Sequence, residues 1–143
     1  MSAFRTISDG FLASPQIAIS DVELAKSEGV SLIVNNRPDG EEPSAPQGND
    51  ISMAAEAAGL RYVAIPVGHS GFSEVQIDQL VEALASADGK VLAYCRSGTR
   101  STLLWALAQA KLGVSPDEIA KLAGQGGYDV SPIRPMLDML AAR

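Results

Sequence analysis

Residues 90–104, which read KVLAYCRSGTRSTLL, decide the predicted fold of the chain. An apolar run ends at Tyr94, Cys95 follows, and a short polar loop leads into a helical pattern that begins at Ser101. A loop between a strand and a helix N-terminus turns successive backbone N–H groups into one concavity, and the positive end of the helix dipole adds to their field. The stretch therefore predicts a strand, an anion-binding loop and a helix, with the chain's one cysteine at the mouth of the loop.

The residue types of this loop favour a reactive thiol. A cysteine after an apolar strand is often only a small buried hydrophobic residue, but arginine is seldom placed in a tight loop without an anion to hold. The field that binds an oxyanion also stabilises a thiolate, so we expect Cys95 to be a nucleophile. Arg100 can turn back and offer its fork to the anion, and Ser101 can donate a hydrogen bond to the sulfur. The expected anion-binding residues of the loop are Arg96, Ser97, Gly98 and Thr99.

Short apolar runs alternate with helical patterns along the whole chain. This alternation predicts an α/β fold, a single three-layer domain over residues 1–143 with a mainly parallel central sheet and helices on both faces. Residues 101–112 are apolar almost throughout, so their helix should lie in the core. The predicted strands are 11–14, 30–35, 61–66 and 90–94, and the predicted helices are 21–28, 50–58, 74–86, 101–112, 115–123 and 133–142.

The loops that follow three of these strands should meet at one rim, because ligands of parallel sheets bind outside the carboxyl ends of the strands. Arg37 and Asp39 would then stand near the cysteine together with Glu41 or Glu42. Two interpretations of this pair remain open. Arg37 and Asp39 form a local salt bridge within their loop, or Arg37 binds the distal part of an anionic substrate while Asp39 holds it in place.

The blocks of sequence around the cysteine resemble a known family. Residues 95–101 (CRSGTRS) resemble the active loop of cysteine-dependent phosphatases and of rhodanese-type sulfurtransferases. Together with NNRPDGEE at 35–42, YVAIPV at 62–67, GYD at 127–129 and RP at 134–135, they resemble the phosphatase-like domain of the beta-lactamase-hydrolase-like protein family. The resemblance implies a dual-specificity-phosphatase-like fold and a cysteine-dependent enzyme. Members of the family are described both as phosphatase-like and as sulfur transferases.

The length of the loop departs from the phosphatase pattern. Cysteine phosphatases have five residues between the cysteine and the arginine, whereas this chain has four, Arg96 to Thr99, which is the spacing of many rhodaneses. A shorter loop makes a narrower cradle. A persulfide sulfur on Cys95 needs less room than a phosphoryl group with three equatorial oxygens, so the spacing favours sulfur transfer.

The general acid is the second departure. A phosphatase of this fold supplies an aspartate about 30 residues before the cysteine to protonate the leaving oxygen. In this chain the segment 66–74 reads PVGHSGFSE and has no aspartate. His69 is the candidate replacement, although a histidine in a Gly-rich loop is more often simply solvated. Glu74 is less suited, because it falls at the start of the next predicted helix.

These observations rank three functions. The first is a sulfurtransferase that carries sulfur as a persulfide on Cys95, since this reaction needs no strong general acid. The alternative is a protein-tyrosine or dual-specificity-type phosphatase that forms a phosphocysteine, with His69 or a water as the acid. A catalytically inactive module that binds anions or phosphopeptides comes third, because a binder has no use for an activated thiol.

Composition limits the other possibilities. The chain has 143 residues, of which 46% are hydrophobic and 20% charged, so it is long enough for a proper core. Its net charge of −6 argues against a nucleic-acid partner, and we expect neither an export signal nor a membrane span. One cysteine and one histidine argue against a Cys/His zinc site, and a reducing cytoplasm fits best. We expect a small anionic or sulfane-sulfur substrate, no cofactor and no metal, and leave the oligomeric state open.

Overall fold

The computed structural model describes residues 3–68 and 70–142, in which a sheet is flanked by helices. The strands are β1 (Arg5–Ser8), β2 (Phe11–Ser14), β3 (Val30–Asn35), β4 (Arg61–Ala64) and β5 (Lys90–Tyr94). The α-helices are α1 (Ser20–Ser27), α2 (Gly48–Ala57), α3 (Glu74–Ser86), α4 (Thr99–Lys111), α5 (Pro116–Gln125) and α6 (Arg134–Ala141), and a 3-10 turn at Ser131–Ile133 precedes α6. The described strands lie side by side in the order β1-β2-β5-β3-β4.

The sheet confirms the predicted, mainly parallel α/β architecture. β2, β5, β3 and β4 run parallel to their neighbours, whereas β1 is antiparallel to β2 at the edge. The sequence analysis did not predict β1. Its four residues, RTIS, include two exposed ones and carry no apolar run, so tertiary pairing rather than sequence pattern makes this strand.

The two faces of the sheet carry separate apolar cores, because successive side chains of a strand point to opposite faces. Leu12, Ile33 and Leu92 pack with the buried residues of α1 and α2. Val34 and Ala93 lie in the other core, which is shared with α3, α4, α5 and α6. Helices on both faces therefore complete the three layers that the sequence predicted.

Helix α4 has buried residues on most of its sides, so it is the central helix of the domain. This placement confirms the prediction that the apolar stretch after the cysteine belongs to the core. The helix begins at Thr99, two residues earlier than predicted, because Gly98 takes a φ of 90° and acts as its N-cap. The loop that holds the cysteine is correspondingly tight.

The carboxyl ends of the parallel strands are level with one another. Tyr94 is paired in register with Ser14 of β2 and with Asn35 of β3, and Asn35 is paired with Ala64 of β4. The loops that follow these residues emerge at one rim, as predicted. Among the described residues, no helix is both long and apolar enough to cross a membrane.

Candidate active site

Cys95 follows the last residue of β5 and lies at the centre of the rim. Its backbone N–H donates to the carbonyl oxygen of Ser14 at 3.3 Å, which continues the pairing of β5 with β2 by one residue. Its side chain is 0% exposed. The backbone N–H of Gly98 donates to Sγ at 3.1 Å. The sulfur therefore sits inside the turn of the loop and accepts a hydrogen bond that a thiolate would strengthen.

Gly98 is required at its position for two reasons. Its φ of 90° lies in the left-handed region, which residues with a Cβ rarely adopt. A Cβ built there would also overlap the hydroxyl of Tyr128. That hydroxyl donates to the carbonyl oxygen of Ser97 at 3.1 Å, so Tyr128 closes over the outside of the loop.

The other side chains of the loop lie at the surface. Arg96 and Ser97 are exposed, and so is Thr99. Ser97 Oγ donates to Thr99 Oγ1 at 3.0 Å and accepts from the Thr99 backbone N–H at 3.3 Å. The Arg96 carbonyl accepts from the backbone N–H of Gln16 at 3.3 Å, which ties the loop to the segment after β2. These residues can bind an anion through their backbone, as a phosphate or persulfide loop does.

Arg100 is the arginine that turns back towards the cysteine, as its spacing predicted. Its Nη1 donates to the carbonyl oxygen of Val67 at 2.7 Å and to Glu41 Oε2 at 2.9 Å, and its Nη2 donates to Glu41 Oε1 at 2.7 Å. The hydrogen bonds with Glu41 raise the pKa of Arg100, and interaction with Cys95 raises this pKa further. A guanidinium has five N–H donors, and the bonds to Val67 and Glu41 take three of them, so the other two are left for the sulfur or for an anion on it.

Glu41 joins two arginines at the rim, and the sequence analysis did not assign it a site function. Its Oε1 also accepts from Arg37 Nε at 2.9 Å. The hydrogen bond from Arg100, supported by Arg37, lowers the pKa of Glu41 to about 2. Glu41 is therefore ionised throughout the physiological range and fixes the guanidinium of Arg100 beside the loop.

Arg37 lies near the site as expected, but Asp39 does not hold it. Arg37 donates to Gln16 Oε1 at 2.9 Å in addition to Glu41. Asp39 Oδ1 instead accepts from the backbone N–H of Gly48 at 2.8 Å, at the start of α2. The predicted salt bridge between Arg37 and Asp39 is not formed, and Asp39 does not hold Arg37, because the N–H groups at the start of α2 bind the nearer carboxylate and Glu41 binds the arginine. That Arg37 binds the distal part of an anionic substrate stays a prediction.

Ser101 is fully buried in the first turn of α4, directly behind the loop. Its hydroxyl has no hydrogen-bond partner among the described residues. The predicted hydrogen bond from Ser101 to the sulfur is thus not formed in this state, in which Gly98 N–H occupies Sγ. A buried hydroxyl without a partner is unfavourable by about 1–3 kcal/mol. The Ser101 hydroxyl is therefore free to donate a hydrogen bond to a group that binds in the loop.

Of the two candidates for the general acid, the structure describes Glu74. His69 lies outside the described residues. Glu74 is the first residue of α3, where its carboxylate accepts from Lys111 Nζ at 2.6 Å. Val67 does reach the site, because its carbonyl oxygen accepts from Arg100 Nη1 at 2.7 Å.

Comparison with solved structures defines the class of protein. The chain superimposes on a candidate phosphatase of Neisseria meningitidis with a TM-score of 0.85 and 32% identity, covering 98% of this chain and 99% of that one. Kinase associated phosphatase shares the fold at a TM-score of 0.73 with 19% identity, covering 100% and 97% of the two chains. The domain is thus an α/β domain on a cysteine-phosphatase-like scaffold.

Sequence comparison gives the family. Residues 3–112 match the family described as Beta-lactamase hydrolase-like protein, phosphatase-like domain, and the chain belongs to that family. The chain is 41% identical to a Beta-lactamase hydrolase-like protein of Xylella fastidiosa over 71% of its own length and 24% of the relative. It is 33% identical to the Agrobacterium fabrum protein over 99% of its length and 33% of the relative. The chain therefore spans a quarter to a third of these relatives.

Proposed function

We propose that the domain is a sulfurtransferase in which Cys95 carries the transferred sulfur as a persulfide. The observation that carries this proposal is the size of the loop. Four residues separate Cys95 from Arg100, and the turn is closed enough for the Gly98 N–H to contact Sγ at 3.1 Å while Sγ stays shielded from solvent. Such a loop suits one added sulfur atom better than a tetrahedral phosphoryl group.

The reaction runs in two displacement steps. The Cys95 thiolate attacks the outer sulfur of a sulfane donor such as thiosulfate, so that a Cys95 S–S bond forms, the donor S–S bond breaks and sulfite leaves with the electron pair. A cyanide or thiolate acceptor then attacks the outer sulfur of the persulfide, and the Cys95 thiolate leaves. Neither step transfers a proton to a leaving oxygen, so no aspartate is needed in the segment 66–74.

The charged residues of the site stabilise the sulfur anions in both steps. Glu41 occupies one edge of the Arg100 guanidinium and leaves its Nε–H and one Nη2–H for the persulfide or the thiosulfate oxygens. The Gly98 N–H already contacts Sγ. Ser101 supplies a further buried hydroxyl once the sulfur is charged and the loop adjusts around it.

Phosphate ester hydrolysis is the second candidate, and the comparisons favour it over sulfur transfer. The scaffold is phosphatase-like and the neighbours at 32% identity and below are described as phosphatases. In this reaction the Cys95 thiolate would attack phosphorus, a phosphocysteine would form, and His69 or a water would protonate the leaving oxygen. A scaffold does not fix a reaction, whereas loop length is a property of this chain's own site.

A paired assay separates the candidates. Purified protein is tested side by side for thiosulfate:cyanide sulfur transfer and for hydrolysis of an aryl phosphate, with Cys95→Ser as the control for each. We expect sulfur transfer that disappears in the Cys95→Ser variant and little hydrolysis. Cys95-dependent hydrolysis without sulfur transfer would establish the second candidate. Anion binding by both proteins without turnover of either substrate would make the domain a binding module.

A further inference from the structure

One peptide group of the Cys95 loop, the one between Ser97 and Gly98, is hydrogen-bonded at both of its ends. Its carbonyl oxygen, which belongs to Ser97, accepts from the Tyr128 hydroxyl at 3.1 Å. Its N–H, which belongs to Gly98, donates to Cys95 Sγ at 3.1 Å. The C=O and N–H of a trans peptide point in opposite directions, so the hydroxyl and the sulfur lie at opposite ends of a single amide.

Gly98 by itself does not fix the direction of this peptide. Its φ is 90°, and a glycine adopts positive and negative φ about equally readily. A rotation of the peptide that carried this φ to a negative value would turn the N–H away from Sγ and bring the carbonyl oxygen towards it, where the oxygen would repel a thiolate. A hydrogen bond that holds the carbonyl on the outside of the loop therefore selects the orientation in which the sulfur has a donor.

Tyr128 is itself held in place by the end of helix α5. Its backbone N–H donates to the Ala123 carbonyl and that of Gly127 donates to the Gly124 carbonyl, each at 3.0 Å, and Gly127 has a φ of 89°. This pair of bonds is the Schellman motif that closes the C-terminus of a helix. The half-buried ring packs against the core that α4 shares with α5. The hydroxyl therefore reaches the loop from a rigid part of the fold outside it.

The charged groups around Tyr128 and the sulfur come from three other segments. Burial is the largest influence on Tyr128 and raises its pKa, whereas Arg5 of β1 lowers it and Cys95 raises it. The hydroxyl therefore keeps its proton and remains a donor at neutral pH. Arg100 of α4 interacts with Cys95, and Glu41, in the loop after β3, binds Arg100. The sulfur thus has two sources of stabilisation, the charge of Arg100 and the peptide N–H to which Tyr128 is coupled.

We propose that Tyr128 is a positioning residue that holds the Ser97–Gly98 peptide with its N–H on the Cys95 sulfur and so stabilises the thiolate. The bond from the hydroxyl to the carbonyl also makes the N–H a better donor, because hydrogen bonds in series strengthen one another by about 10–30%. A hydrogen bond to a charged sulfur is stronger than one to a neutral thiol, so the thiolate gains more than the thiol does. The inference holds for either reaction, since sulfur transfer and phosphate ester hydrolysis both begin with this thiolate.

The first test measures the pH at which Cys95 ionises. Cys95 is the one cysteine of the chain, so the ultraviolet absorbance of its thiolate is read as the difference between each protein and the same protein carrying Cys95→Ser. Tyr128→Phe keeps the ring and removes the hydroxyl. The matched control is Tyr62→Phe, which removes a half-buried hydroxyl bonded to Asn35.

We expect the midpoint of ionisation to rise by about half a pH unit in Tyr128→Phe, which is about a threefold loss of thiolate below the midpoint. The midpoint of Tyr62→Phe should equal that of the parent protein. An unmoved midpoint in Tyr128→Phe, or an equal rise in both variants, would overturn the inference. Circular dichroism of both variants confirms that each is folded.

The second test follows the Gly98 amide proton by NMR while Cys95 is titrated, first in the parent protein. This proton should shift downfield as the thiolate forms, because the hydrogen bond to a charged acceptor is shorter and stronger, and the shift should be smaller in Tyr128→Phe. A Gly98 amide that does not respond in the parent protein, or that responds equally in the two proteins, would overturn the inference. No substrate enters either test, so an inactive thiosulfate assay would remove the sulfurtransferase and leave the role of Tyr128 standing.

Discussion

The two sides of the Cys95 loop are built differently. On one side Arg100 and Arg37 are both neutralised by Glu41, at N–O distances of 2.7 and 2.9 Å. On the other side Arg5 has no such partner among the described residues and borders a cleft of about 350 Å³. Glu41 therefore holds the Arg100 guanidinium beside the loop, whereas no carboxylate among the described residues holds Arg5. The contacts of Glu41 therefore fix the arginine of the loop in place before a substrate binds.

The largest effect should come from adding a side chain at Gly98, where the loop contacts Tyr128. Gly98→Ala adds a Cβ that overlaps the Tyr128 hydroxyl and forces a residue with a side chain into a φ of 90°. We expect loss of detectable transferase activity and a destabilisation of about 1–3 kcal/mol, measured by urea unfolding.

Gly113→Ala is the matched control for this substitution. Gly113 has a φ of 94°, but nothing lies within 4 Å of its Cβ position. It should show the backbone part of the destabilisation and keep its activity. If Gly98→Ala were as active as Gly113→Ala, Tyr128 would not close the loop as the structure indicates.

The second-largest effect should come from Arg100, which binds Glu41. Arg100→Lys keeps the charge but cannot bind Glu41 at two points and the anion at two more. We expect anion binding, measured as the inhibition constant of sulfite, to weaken by about 1–3 kcal/mol. Arg96→Lys changes an exposed side chain of the same loop and should have a far smaller effect. Equal effects would show that the two arginines share the site.

A smaller and pH-dependent effect belongs to Glu41. Its pKa is lowered from the ordinary 4.5 to about 2, chiefly by the hydrogen bond from Arg100. A depressed pKa in the folded state stabilises the protein at pH values above the unfolded pKa, and this stabilisation is lost as pH falls from about 4.5 towards 2. The melting temperature of the parent protein should therefore fall more steeply over this window than that of Glu41→Gln. Parallel curves would contradict the pairing of Glu41 with the two arginines.

The smallest effect should come from Asp39, which binds the Gly48 N–H and not Arg37. Asp39→Asn weakens the bond to the Gly48 N–H at the start of α2 and should cost about 1 kcal/mol of stability. Thermal unfolding reports this cost, while KM and kcat should stay at the values of the parent protein. A raised KM would restore Asp39 to substrate binding.

Contiguous features of the site could be predicted from the sequence, and contacts between distant segments could not. The loop from Cys95 to Arg100 is one uninterrupted stretch, and the common rim follows from the geometry of any parallel sheet. The contact of Glu41 with Arg100 joins residues 59 positions apart, and two acidic neighbours in the same loop left the choice of partner open. Competition between partners decided which carboxylate binds the arginines, because the Gly48 N–H at the start of α2 binds Asp39.

The hydrogen bond expected from Ser101 shows a second limit. Sequence spacing places the residue in the first turn of α4, which is where it lies, but spacing does not say which donor reaches the sulfur first. The Gly98 N–H does so, because the left-handed turn points it inwards. Strand β1 was missed for a related reason, since its pairing with β2 comes from the tertiary structure and not from its own pattern.

The most direct test of the account is the chemical state of Cys95 after exposure to a sulfane sulfur donor. The protein is incubated with thiosulfate, desalted and measured by intact-protein mass spectrometry, and orthovanadate inhibition is measured in parallel on the same preparation. A narrow loop predicts the mass of one added sulfur, absent in Cys95→Ser, and only weak inhibition by vanadate, whose trigonal bipyramidal complex needs a wider ring of donors. Tight inhibition by vanadate with no added sulfur on Cys95 would contradict the account and establish the phosphatase reaction in its place.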